Sequence, residues 1–154
     1  MSHTTRHTFR GFSLLELLLV MGILVVLGSA GFGMYHNFVR NVELSSAAQT
    51  IRTDLKNARS KAQAGAENYR WGIHFVNGTD DYYEIFSTPT NYADVGKQVR
   101  ETVYLKGGVA FSNPTDGNMT NVVFVKISGT TTVATVGVTF SGQTETISIG
   151  VSGS

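Results

Sequence analysis

The sequence predicts an α+β chain, with one long N-terminal helix packed on a C-terminal antiparallel β-rich head. Three observations predict it. A basic opening segment is followed by an apolar run from Phe12 to Tyr35. A stretch of helical spacing then continues to Gly65. Beyond Gly65 the apolar residues change to a period of two, punctuated by Gly, Asn, Asp and Ser, the pattern of short strands and turns. The 154 residues fit a single folded head. Seventeen glycines against two prolines suit turn-rich β-structure better than a helical bundle.

Residues 1–11, MSHTTRHTFRG, are polar and basic with no acid. From Leu17 to Tyr35 no residue is charged. Those nineteen residues make about 28 Å of helix, close to the hydrocarbon thickness of a bilayer. Positive charge before the apolar run keeps the N-terminus on the cytoplasmic side and the bulk of the chain outside. A secretory signal peptide needs small residues after its apolar run, and Gly28-Ser29-Ala30 offers such a site. A plain signal anchor is a second reading. A third turns on Glu16, whose carboxylate within the apolar run costs about 2.5–3.5 kcal/mol on insertion scales. No Lys or Arg follows it within one helical turn, so its partner is expected from another chain or from a terminal amine.

Gly11-Phe12-Ser13-Leu14-Leu15-Glu16 resembles the processing site of type IV pilins and type II secretion pseudopilins. The resemblance covers about 25 residues and implies a pilin-like fold. It implies cleavage by a prepilin peptidase between Gly11 and Phe12, and N-methylation of Phe12. It also implies that Glu16, fifth residue of the mature chain, neutralises the N-terminal amine of a neighbouring subunit. In a greasy filament core the ammonium and the carboxylate each need a partner.

The expected organisation is a leader at 1–11, a transmembrane or filament-core helix at 12–35, an amphipathic continuation at 36–65 and a β-sheet head at 66–154. Gly22, Gly28, Gly31 and Gly33 permit close helix packing, with Gly31-Phe32-Gly33 a point where the helix can loosen. In the continuation, Phe38, Val42, Ser45, Ser46, Gln49, Ile51, Leu55 and Ala58 are expected on the side facing the head. Gly65 is the expected C-cap region. Strands are expected at 69–76, 82–86, 97–105, 109–111, 121–127, 131–140 and 144–151, with hairpin turns at Asn77–Asp81 and Ser141–Gln143.

This order of elements, with Leu55-Lys56-Asn57-Ala58-Arg59-Ser60-Lys61-Ala62, is similar to the minor-pilin branch typified by the GspH and FimT proteins. Members implicated in DNA uptake carry arginines after the last strand. Gly150 to Ser154 contain none, which speaks against DNA binding by that route.

The formal charge of +1 does not point to a polyanion-binding protein. Arg52, Lys56 and Arg59 share one helix side, expected as a solvated face, with an electrostatic contact to a neighbouring subunit or to DNA as the alternative. The absence of Cys excludes a disulfide framework, a thiolate metal site and a Cys nucleophile. The histidines, His3, His7, His36 and His74, lack metal-ligand spacing, and His74 is expected at a surface or sheet edge. Asn77, Asp80 and Asp81 place hard oxygen donors on one turn and are candidate calcium ligands, with a polar turn as the alternative. Asn77-Gly78-Thr79 and Asn118-Met119-Thr120 match the glycosylation sequon.

No enzymatic site and no cofactor are expected. The resemblance implies a minor structural subunit of a type IV pilus or type II secretion pseudopilus. A tip subunit that binds DNA, a surface or a secreted substrate is the alternative. Its implied partners are other subunits, the prepilin peptidase, the inner-membrane assembly platform, and membrane lipid before assembly. The implied location is the inner membrane, single-pass, and then an extracellular or periplasmic filament.

Overall fold

The computed structural model describes residues 13–151, and of residues 30–34, 36 and 37 only the backbone. Helix α1 runs Leu14–Gln63. The chain divides into two compact units after Phe38.

In the first unit, the apolar side chains from Leu14 to Leu27 are exposed all round the helix. A helix that is hydrophobic on every side needs apolar surroundings that its own unit does not supply. Among the described residues no stretch is long and apolar enough to cross a membrane. Leu14 to Ser29 is sixteen residues, about 24 Å of helix against ~30 Å of hydrocarbon. The apolar run of the sequence continues to Tyr35 through residues whose side chains fall outside the description.

The second unit begins at Val39 and packs the rest of α1 against two antiparallel sheets. Seven strands follow the helix: β1 Arg70–Val76, β2 Tyr82–Thr88, β3 Gln98–Tyr104, β4 Ala110–Asn113, β5 Met119–Phe124, β6 Ala134–Phe140 and β7 Gln143–Ile149. The first sheet has the order β3-β2-β1-β5 and the second β4-β6-β7.

The helix meets the sheets through a narrow seam of Leu44, Ala48, Ile51, Leu55, Ala58 and Ala62, all buried. Their spacing alternates four and three, so they form one stripe. Phe38, Val42, Ser45, Ser46 and Gln49, expected on this side, are exposed. Small alanines form half the seam and bring the helix backbone close to the strands, while the larger side chains lie off it. Ile51 and Leu55 contribute about 1.5–3 kcal/mol each by leaving water.

Gly65 adopts φ +62° just past the helix end, as its position as a C-cap requires. The Ile127 amide donates to the Ala62 carbonyl at 2.9 Å, so a distant turn caps one of the last carbonyls.

Strand β1 is central and buried on both faces. Trp71, Ile73 and Phe75 alternate to one face and are buried with the helix seam in one core cluster. Gly72 and His74 take the other face, where the β2–β3 connection covers them. His74 is 3% exposed on this central strand, not at a surface or edge. Its polarity suggests exposure, but a loop folds over it.

Gly72 is required by crowding. A Cβ there would strike the Val122 carbonyl oxygen and lie 2.8 Å from the Phe86 ring. Gly72→Ala is expected to destabilise the head by about 1–3 kcal/mol. Thermal unfolding followed by the β-sheet circular dichroism signal checks this.

Candidate functional site

The N-terminal site begins with Ser13. Its hydroxyl oxygen accepts from the Leu15 amide at 3.3 Å, and its carbonyl accepts from Leu17 at 3.1 Å. Ser13 is therefore the N-cap of α1, and Ser13-Leu14-Leu15-Glu16 has the spacing of a capping box. Glu16 sits in the first turn, where the helix dipole favours a carboxylate. Its side chain is exposed. Among the described residues it has no hydrogen-bond or ion-pair partner. The cap was legible in the sequence as Ser-x-x-Glu and gives Glu16 a local role beside any intermolecular one. Gly11 and Phe12 lie outside the described residues.

In the head, the three candidate calcium ligands serve different ends. Asn77 is buried, and its Nδ2 donates to the carbonyls of Phe111 at 2.9 Å and Pro114 at 2.7 Å. Asp81 accepts from the Gly78 amide at 3.0 Å and the Phe111 amide at 2.6 Å. Asp80 is exposed. Asn77 and Asp81 thus stitch the β1–β2 turn to β4 and join the two sheets. Among the described residues no three His, Asp or Glu side chains gather as a metal site. The amide of Asn77 is committed on both protons, whereas Asn118 of the second sequon is exposed.

The three basic candidates on α1 also diverge. Arg52 pairs with Glu145 of β7 at 2.8 Å. Lys56 is exposed, and Arg59 is half-buried, with its Nε unpartnered among the described residues. Arg52 and Lys56 line a groove of about 320 Å³ beside β7. Arg52 is therefore engaged within the head.

Sequence reading missed two polar clusters. Tyr83 is buried, and its hydroxyl donates to Asp54 of α1 at 2.6 Å. Burial, then this bond to a carboxylate, pushes the phenol far above its ordinary range. The bond ties β2 to the helix. The second cluster surrounds His74. Its Nδ1 lies 2.6 Å from Asn121 Oδ1, and its ring stacks on Tyr92 at 3.7 Å. The Tyr92 hydroxyl donates to Glu84 at 2.5 Å. No spacing signal connects these residues, because Tyr92 reaches His74 only through the loop's path.

A second groove, of about 550 Å³, lies between the helix and the end of β3, lined mainly by Val42, Ala47, Tyr83, Val103, Leu105 and Val109. Its walls are mainly apolar, with Glu43, Ser46, Thr50 and Lys106 also on the lining.

The class defined by these features is a chain with a β-sheet head and a helix whose first turns are apolar on every side, capped by Ser13 and carrying one acid in the first turn. Residues 6–32 match the family model described as the prokaryotic N-terminal methylation motif, and this match supports the type IV pilin-like family. It supports prepilin cleavage and N-methylation as the processing class. That family is structural, not enzymatic. Neither a curated protein nor a solved structure gives a significant match.

Proposed function

We propose that the chain is a minor structural subunit of a type IV pilus or type II secretion pseudopilus, of the GspH and FimT type. The observation that carries this reading is the methylation-motif match over residues 6–32. It falls on a helix start capped by Ser13, with one carboxylate among exposed apolar residues.

Prepilin peptidase cuts between Gly11 and Phe12, and Phe12 becomes the methylated N-terminus. Residues 12–35 cross the inner membrane before assembly and line the filament core afterwards. The head faces the periplasm or the exterior. Glu16 meets the terminal amine of a sister chain, so each incoming subunit stops where both charges are satisfied. The partners are other subunits, the peptidase and the assembly platform. The alternative, a tip subunit binding DNA, gains nothing from Arg52, whose guanidinium is already held by Glu145.

The test is the N-terminal mass of the native protein. A methylated Phe12 start is expected. Gly11→Val is expected to leave the leader attached, seen as a heavier chain still beginning at its leader. A native N-terminus near Gly31 would instead mean an ordinary signal peptide.

A further inference from the structure

The connection from Pro89 to Lys97 runs as a strap over the outer face of the first sheet. The strap is knit internally. Asp94 Oδ1 accepts from the Gly96 amide at 2.8 Å, and Asp94 Oδ2 accepts from the Thr90 hydroxyl at 2.6 Å. The Asn91 side chain accepts from the Ala93 amide at 2.9 Å. Such a unit holds its own shape and can move as one piece.

It is attached to the sheet at two neighbouring points, the Tyr92 side chain and the Asn91 carbonyl, which accepts from the buried Thr88 hydroxyl of β2 at 2.6 Å. The Tyr92 ring stacks on His74 at 3.7 Å, packs edge-on to Phe86 at 5.0 Å and hydrogen-bonds Glu84. A further tie is the Arg70 guanidinium, which donates to the Thr90 carbonyl at 3.3 Å. Beneath the strap Phe86 is fully buried, although the face opposite the helix is otherwise the solvent side of the sheet.

The charges around His74 come from three elements. Glu84 of β2 is its register partner. Asn121 of β5, which is neutral, holds its Nδ1. Lys97 of the strap puts its Nζ 3.6 Å from the centre of the Tyr92 ring. His74 and Lys97 lie so close to one ring centre that they must take opposite faces. A protonated His74 would therefore share the Tyr92 ring with a second cation, while the nearest carboxylate is already bound by the Tyr92 hydroxyl.

We propose that the 89–97 strap is an acid-released cover: protonation of His74 frees Tyr92 from the outer face of the sheet and bares Phe86. The proposal does not depend on the filament reading.

The direction follows from burial. Desolvation holds His74 below its ordinary value of 6.5, and Lys97 acts the same way, against the Asn121 bond and Glu84. A buried base that resists its proton stabilises the closed form above its open-state value. That stabilisation is lost as pH falls from 6.5 through the lower value.

The test is a proton NMR titration of the full chain in detergent micelles from pH 8 to pH 5. It follows the His74 ring shift and the cross-peaks of the Tyr92 ring to His74 and Phe86. The Tyr92–Phe86 cross-peak is expected to be lost with the same midpoint as the His74 shift. In His74→Asn, which cannot be protonated, it is expected to persist to pH 5. Cross-peaks that stay intact while His74 titrates overturn the proposal, as does an equal loss in His74→Asn. If that variant does not fold, coincidence of the two wild-type midpoints decides, and separate midpoints reject the latch.

Discussion

Glu16→Ala is expected to leave membrane insertion intact and to cut incorporation into filaments at least tenfold. A carboxylate in hydrocarbon costs about 2.5–3.5 kcal/mol, a cost that a neighbour's terminal ammonium can offset. Removing one member of a buried pair leaves the other charge uncompensated, at about 3–5 kcal/mol. That exceeds the tenfold threshold of about 1.4 kcal/mol. The capping geometry supplies the competing explanation, because Ser13 caps α1 and Glu16 stands at the third helical position. A cap is worth about 1 kcal/mol and acts within the subunit. Glu16→Gln separates the two effects, since the amide leaves the Ser13 cap and the Ser-x-x-Gln spacing in place and loses the charge. The measurement is the sheared-filament fraction relative to the membrane pool. If Gln assembles like wild type, the charge has no part in register and only the cap remains.

Phe75→Ala is expected to be among the most damaging single changes in the head, at about 3–5 kcal/mol. Phe75 is fully buried on β1. Its ring lies 5.8 Å from that of Tyr83 in the same sheet and 5.7 Å, edge-on, from Phe111 of β4 in the other sheet. It therefore joins the two sheets as well as filling the core. Each aromatic pair adds about 0.5–1.5 kcal/mol beyond its buried area. A total stability of about 5–15 kcal/mol is usual for a domain, so the loss takes a large share. Urea unfolding should show a lower midpoint with the slope unchanged. A changed slope would mean a less compact native head rather than a cavity.

Much of the fold was legible because it depends on neighbours in sequence. The helix was expected at 12–65 and is described at Leu14–Gln63, since a long apolar run, helical spacing and a terminal Gly are local signals. The first hairpin was legible from Asn77 to Asp81 for the same reason, as was the Ser141–Gln143 turn between β6 and β7. The strand boundaries moved most around the β5–β6 connection, where β5 ends at Phe124 rather than Ile127 and β6 starts at Ala134 rather than Thr131.

The Gly-Phe-x-x-x-Glu spacing, the basic leader and the apolar run are linear features, and the sequence alone determined the processing class through them. It also determined that a helix precedes a β-head. Only the tertiary structure decided that the strands divide into two sheets, with β5 returning beside β1 and β4 joining β6. It likewise decided that Asn77 and Asp81 stitch those sheets, and that His74 lies under Tyr92. The physical reason is that spacing reports which side of an element a residue takes. Which element comes to cover that side depends on contacts between residues far apart in the chain.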